Sequence, residues 1–190
     1  MKLNSGQRKK VLQLARSSIA SKLGIPYNGI ETGKGEDFFK EKRGVFVTLH
    51  KNGALRGCIG YISAVKPLAE AVEEMAEAAA FGDPRFQPLT KSEFNDIDIE
   101  VSVLSPIEPV KDTDEIQVGR DGLIIRAGSR SGLLLPQVAS ENNWNKTQFL
   151  EHTCYKAGLP GDSWMSPEVT IEKFSAEIFG ENEHNGEPCT

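Results

Sequence analysis

The residue best suited to covalent chemistry in this chain is Cys58, set in the segment LRGCIG between Leu55 and Gly60. A cysteine attacks as its thiolate, so a working one needs a nearby positive charge, a base, or both. Arg56 offers the charge: beside the sulfur it would stabilise the thiolate and lower the thiol pKa. Gly57 and Gly60 flank the cysteine, and glycine inside a strand marks a bulge or the close approach of a ligand or another backbone. The plain alternative is that Cys58 is a small buried hydrophobe, as free cysteines most often are.

A hairpin must position these residues. Gly44 to Lys51 alternates in strand fashion, Asn52-Gly53 is the signature of a type I′ turn, and Ala54 to Tyr61 resumes the extended pattern. A two-residue turn sets Lys51 opposite Ala54, Leu49 opposite Arg56 and Val47 opposite Cys58. One face then carries Val45, Val47, Leu49, Arg56, Cys58 and Gly60; the other carries Phe46, Thr48, His50, Leu55, Gly57 and Ile59. A charged Arg56 among apolar neighbours requires an acidic partner or a bound anion. This register puts His50 on the face away from Cys58. Of the other histidines, His184 falls in a polar tail, leaving His152 as the candidate base, at the edge of a helix's apolar stripe and two residues before Cys154. A helix-surface histidine without a chemical role is the competing reading, and Cys154 reads as core or near-core packing, with a redox pair with Cys58 as its alternative.

The remaining elements follow from periodicity. Val11, Leu12, Ala15, Ile19 and Leu23 recur at helical spacing from Ser5 to Leu23, ended by Gly24 and Pro26. Residues 25 to 43 read as a loop. Pro67 fits the first position of a helix of about four turns, with Leu68, Val72, Met75, Ala76 and Ala79 on its apolar face. From 96 to 104, Ile97, Ile99, Val101 and Val103 alternate with Asp98, Glu100 and Ser102, a strand with one polar face. Gly122 to Arg126 and Gly132 to Leu135 flank the turn-rich AGSRS as a second hairpin, and Pro136 opens a short helix. Asn145 caps a further helix with Phe149, Leu150, Thr153 and Ala157 inward and Gly158 at its end. In the last strand the apolar set changes phase, from Val169 and Ile171 to Phe174, Ala176 and Ile178, as a bulge or a strand shared by two sheets requires. The tail from 181 to 190 has too little apolar content to fold, Cys189 included. Helices and hairpins without regular βαβ alternation give an α+β fold with a mainly antiparallel sheet and flanking helices.

Composition narrows the functions available. The 190 residues are 38% hydrophobic with a net charge of -5, enough for one sizeable core or two small ones. No apolar run approaches the roughly 20 residues that span a bilayer, and MKLNSGQRKK lacks the apolar region of a signal peptide. Three dispersed cysteines form no disulfide framework, which suits a reducing compartment, so a cytoplasmic protein is expected. The acidic balance opposes nucleic-acid binding, and the run QRKK at 7 to 10 reads as a solvated helix face. No CxxC, HxxxH or HExxH spacing offers a metal site, and the glycine-rich GRDG and GSRSG match no phosphate-binding loop.

The segments LRGCIG, GDPRFQPL at 82 to 89, EVSVLS at 100 to 105 and LLPQVA with Trp144 together resemble the AMMECR domain family, over residues 5 to 180. The resemblance implies an α+β fold with two unequal subdomains and a cleft where these motifs meet. It implies no settled activity or cofactor. Members are similar in being encoded beside, or fused to, Memo-type proteins and radical SAM enzymes, which makes such proteins possible partners. Within the shared motifs, Arg56 and Arg85 can each offer a planar fork to a carboxylate or phosphate, with Asp83 and Glu100 as internal counter-ions. Such a cluster would bind a small anion or a peptide end, or these four residues simply pair with one another. Gln137 and Trp144 would wall the cleft. The expected function is an enzyme or enzyme component binding an anionic small molecule or peptidyl group beside Cys58; the alternative is a non-catalytic adaptor for a Memo-type or radical SAM partner, and nucleic-acid regulation ranks last.

Overall fold

Asn4 and Gln7 form a reciprocal capping box at the start of α1 (Ser5–Leu23), and Gly24 ends it in the left-handed conformation at φ 63°. The computed structural model describes residues 2–27 and 36–182. It is an α+β protein with antiparallel strands, and it divides into two compact units, Met1–Leu104 with Glu177–Thr190, and Ser105–Ala176.

In the first unit, a short helix α2 (Asp37–Lys40) buries Phe38 and Phe39, so the stretch expected as loop contains one helical turn; its residues 28–35 lie outside the described residues. The hairpin strands β1 (Val45–Lys51) and β2 (Ala54–Tyr61) follow, with Asn52 at φ 52° and Gly53 at φ 76°, the two positive angles a type I′ turn demands. Helix α3 (Leu68–Phe81) begins one residue later than expected, with Pro67 as its extended cap rather than its first helical residue. Strand β3 (Ile97–Leu104) pairs antiparallel with β1, giving the order β2-β1-β3. Val45, Val47, Leu49, Ile97, Ile99, Val101 and Val103 join the buried side chains of α1 and α3 in one core. On β3 the opposite face carries Asp98, Glu100 and Ser102, as the alternation predicts.

The second unit holds β4 (Glu108–Pro109), the hairpin β5 (Asp121–Ala127) and β6 (Arg130–Leu134), α4 (Pro136–Glu141), α5 (Lys146–Lys156) and most of β7 (Thr170–Gly180). Strand β7 pairs with both β4 and β5. Leu123, Ile125, Phe149, Leu150, Cys154 and Ile171 form its core. In β7 the phase change occurs, but Phe179 (1% exposed) rather than Ile178 (38% exposed) carries the burial at its end. Glu181 and Asn182, expected to fray, are bound: the Ile99 N–H donates to Glu181, whose own N–H donates to the Ile99 carbonyl, and Asn182 donates to Asp98. Residues 183–190, with His184 and Cys189, lie outside the described residues. No helix among the described residues is long and apolar enough to cross a membrane.

Candidate functional site

The ladder between β1 and β2 slips by one residue. Lys51 and His50 pair with Ala54 and Leu55 as the turn dictates, but Leu49 then pairs with Gly57, leaving Arg56 as the extra residue of a bulge. The expected register is therefore corrected beyond the turn: Thr48, not Val47, lies opposite Cys58, and Gly57, not Arg56, lies opposite Leu49. A tertiary contact explains the slip. A Cβ at position 57 would lie 2.2 Å from the Ala79 carbonyl oxygen of α3, so only glycine fits where the strand meets that helix. At Gly60 a Cβ would come within 2.3 Å of the Phe46 ring, so here too the space is filled from within the unit rather than left for a guest.

The slip exchanges the faces. Cys58 now shares its face with Phe46, Thr48 and His50 of β1 and with Ser102, Glu100 and Asp98 of β3, because paired residues in an antiparallel ladder point the same way. Exclusion of His50 by register is thereby overturned, since it lies one face position from Thr48. The Thr48 hydroxyl donates to Cys58 Sγ at 3.3 Å, and Glu100 is the residue opposite Thr48 on the next strand.

The cysteine's backbone is held from the outer side. Strand β2 is the end of the sheet order, and exposed N–H and C=O groups of such an edge are normally covered. Here the Cys58 N–H donates to Asp83 Oδ2 at 2.9 Å, and Arg85 Nη2 donates to the Cys58 carbonyl at 3.2 Å. Arg85 closes on the same carboxylate through Nε to Oδ1 at 2.9 Å and Nη2 to Oδ2 at 2.7 Å, while its backbone N–H donates to Oδ1. These bonds, the Arg85 guanidinium foremost, hold the Asp83 carboxyl well below the usual carboxylate range. The side chain of Asp83 is 1% exposed and that of Arg85 54%. Asp83 thus stays charged and fixed, while the outer edge of Arg85 faces solvent.

Arg56 finds the acidic partner that its surroundings require, but it is Glu93 rather than Asp83 or Glu100. Nε and Nη2 of Arg56 donate to the two oxygens of Glu93, each at 3.1 Å, and Lys51 donates to the same carboxylate. The backbone N–H and hydroxyl of Thr90 complete the set, and the Arg56 bonds foremost keep Glu93 ionised far into acid. Arg56 Nη1 is buried without a hydrogen-bond partner, and the guanidinium lies 5.9 Å from the Phe86 ring centre, with that of Arg85 at 5.5 Å. The sequence reading missed Glu93 and Thr48. The T-x-x-E spacing of Thr90 and Glu93, a capping-box pattern, was the available signal for the first.

The other candidate residues belong to the second unit. His152 stacks on Trp144, ring centres 3.8 Å apart and planes 7° from parallel, and meets Tyr155 edge-on at 5.6 Å. Gln137 lies in the first turn of α4, with Oε1 buried and unpartnered. Cys154 is wholly buried; burial pushes its thiol pKa up, offset in part by the backbone N–H of Trp164. Both Cys58 and Cys154 are free thiols.

Fold and site together define an antiparallel α+β protein that carries one braced, partly exposed thiol on the polar face of a sheet. The chain belongs to the AMMECR1 family, whose model matches residues 12–179. It is 53% identical to a protein of Methanothermobacter thermautotrophicus over 77% of this chain and 79% of that one, and 45% identical to one of Sulfolobus acidocaldarius over 96% and 85%. The crystal structure of the uncharacterized protein PH0010 from Pyrococcus horikoshii is similar, with a TM-score of 0.75 and 41% identity, covering 93% of this chain and 92% of that one.

Proposed function

We propose that the protein is a thiol-dependent enzyme, or the thiol-bearing component of one, in which Cys58 is the nucleophile toward an anionic small molecule or a peptidyl group. The observation that carries this reading is the bracing of Cys58 at both of its peptide groups by the buried Asp83 and by Arg85. Covering the sheet edge accounts for partners at these groups; an ion pair fixed at both of them also gives the held geometry from which a reacting atom gains. The half-exposed Arg85 guanidinium, although paired with Asp83, supports an anionic partner such as a carboxylate or phosphate. An aryl ester of an N-acetylated amino acid tests the reading. The Cys58 sulfur attacks the carbonyl carbon, the aryloxide leaves, the thiol proton passes to solvent, and a thioester remains. One equivalent of aryloxide should appear as a burst that Cys58→Ser abolishes and Cys154→Ser keeps; a burst indifferent to Cys58, or none, sinks the proposal.

A second reading has its own observation. Tyr155 (57% exposed) and Met165 (64% exposed) stand out at the surface of the second unit, and Tyr155 adjoins the Trp144–His152 stack. Aromatic groups of this kind serve as docking anchors, so the adaptor role toward a Memo-type or radical SAM protein would reside there. In that case Tyr155→Ala abolishes capture of such a partner while Cys58→Ser leaves it intact. Capture that survives Tyr155→Ala counts against the adaptor.

A further inference from the structure

We infer that the outer edge of β2 receives the carboxyl end of an extended peptide, which adds to the sheet as an antiparallel strand with its last residue opposite Gly60. This rests on the peptidyl-group reading above and names the part of the peptide that is held. The far side of the hairpin fixes which backbone groups are open. The Leu104 N–H donates to the Gly44 carbonyl. Hydrogen-bonded pairs alternate along an antiparallel ladder, so Phe46 and Thr48 of β1 turn their backbone groups toward β3. Their partners on β2, Gly60 and Cys58, therefore turn theirs away from β1, to the edge of the sheet. At Cys58 these groups meet Asp83 and Arg85. At Gly60, which is partly exposed, no bond among the described residues closes the outward N–H and C=O.

The order of groups along this edge selects the guest. From Cys58 to Gly60 it runs N–H held by Asp83, C=O held by Arg85, then the open Gly60 N–H and C=O, so the guanidinium stands next to the open amide. Nε and Nη2 of Arg85 are engaged by Asp83 and the Cys58 carbonyl, whereas Nη1 carries no bond among the described residues. A fourth strand stops here, because Asp83 and Arg85 occupy the edge at Cys58. What fits is a chain end. The cation is the exposed member of the pair, at 54% against 1% for Asp83, so that end is a carboxylate rather than an amine. One carboxylate oxygen accepts from the Gly60 N–H and the other from Arg85 Nη1. The last residue's own N–H donates to the Gly60 carbonyl, completing the two-bond exchange of a hydrogen-bonded pair. Its side chain shares the face of Gly60 and Phe46, whose ring covers the glycine, so an apolar last residue is favoured.

The test is a heteronuclear NMR titration of the full chain with N-acetylated tetrapeptides that end in leucine and are randomised elsewhere, since the contacts are made by the main chain. The free acid should move the Gly60 amide and Arg85 Nε–H signals saturably. The matching carboxamide, or the acid N-methylated at its last residue, should bind about tenfold more weakly. Arg85→Ala should lower the acid to the level of the carboxamide, whereas Cys58→Ser should bind as the wild type does. The inference is overturned if the free acid leaves the Gly60 amide unmoved, if acid and carboxamide bind the wild type alike, or if the N-methylated acid binds as well as its parent. These comparisons use the wild type, so they decide the matter even where Arg85→Ala fails to fold. An absent ester burst with an intact titration defeats the nucleophile reading alone; a burst without the titration defeats this inference alone.

Discussion

The two described cysteines are treated in opposite ways. Cys154, on α5, is sealed in an apolar core beside Phe149 and Leu150, and burial pushes its thiol toward the neutral form. Cys58, on β2, is partly exposed, takes a hydroxyl hydrogen bond at sulfur, and has its peptide N–H and C=O gripped by an ion pair. Each region also contains a strand glycine forced by a helix backbone: Gly57 against Ala79 of α3, and Gly132 against the end of α5, where a Cβ would lie 2.3 Å from the Ala157 nitrogen. Close strand-to-helix packing is therefore common to both regions. What differs is polar investment around the sulfur, and that is the better sign of chemistry than the cysteine itself.

The largest effects should come from the shared feature. Gly57→Ala and Gly132→Ala both press a methyl group into backbone atoms and should each cost about 3 kcal/mol, the upper end for overpacking, read by urea unfolding. A tolerated Gly57→Ala would mean that α3 does not dictate the bulge. Next, Cys154→Ser buries a hydroxyl in an apolar core and should cost about 1–3 kcal/mol, whereas Cys58→Ser should stay within about 0.5 kcal/mol of the wild type. Equal costs would erase the distinction between the two thiols.

The smallest effect is the pH dependence. Asp83 in the first unit is held below the ordinary carboxylate range by Arg85; in the second, burial pushes the Asp121 carboxyl up, but Arg120 and the Gln117 N–H outweigh it and leave it lowered. A carboxyl whose pKa is lowered by folding stabilises the fold above its unfolded pKa, and that contribution is lost as pH falls toward the folded value. Stability should therefore decline from about pH 5 downward. Arg85→Ala, which lets Asp83 return toward its ordinary value, should flatten the decline in denaturant midpoint between neutral and acid pH. An unchanged slope would show that the Asp83–Arg85 pair does not contribute to it.

Local signals made much of the fold legible. Asn52-Gly53 announced the hairpin, Asn145 and Gly158 bounded α5, and the alternation in β3 gave its polar face. The site was legible only as a set of residues. Its geometry depends on a bulge that the close approach of Ala79 to Gly57 imposes, a contact between β2 and α3 that no pattern within the hairpin encodes. The partner of Arg56 is 37 residues away and that of the Cys58 amide 25, so pairing could be assigned only after folding. The same slip that returned His50 to the cysteine's face removed Arg56 from the role of thiolate partner, because its bonded nitrogens are engaged by Glu93.

Whether polar bracing makes Cys58 a working thiol is decided by alkylating the folded protein with iodoacetamide at neutral pH and following each cysteine by peptide mass, with a short unstructured cysteine peptide in the same tube. Cys58 should react faster than the peptide thiol, and Cys154 should react only as the protein unfolds. A Cys58 rate at or below that of the peptide, or a Cys154 that reacts alongside it, would contradict the claim.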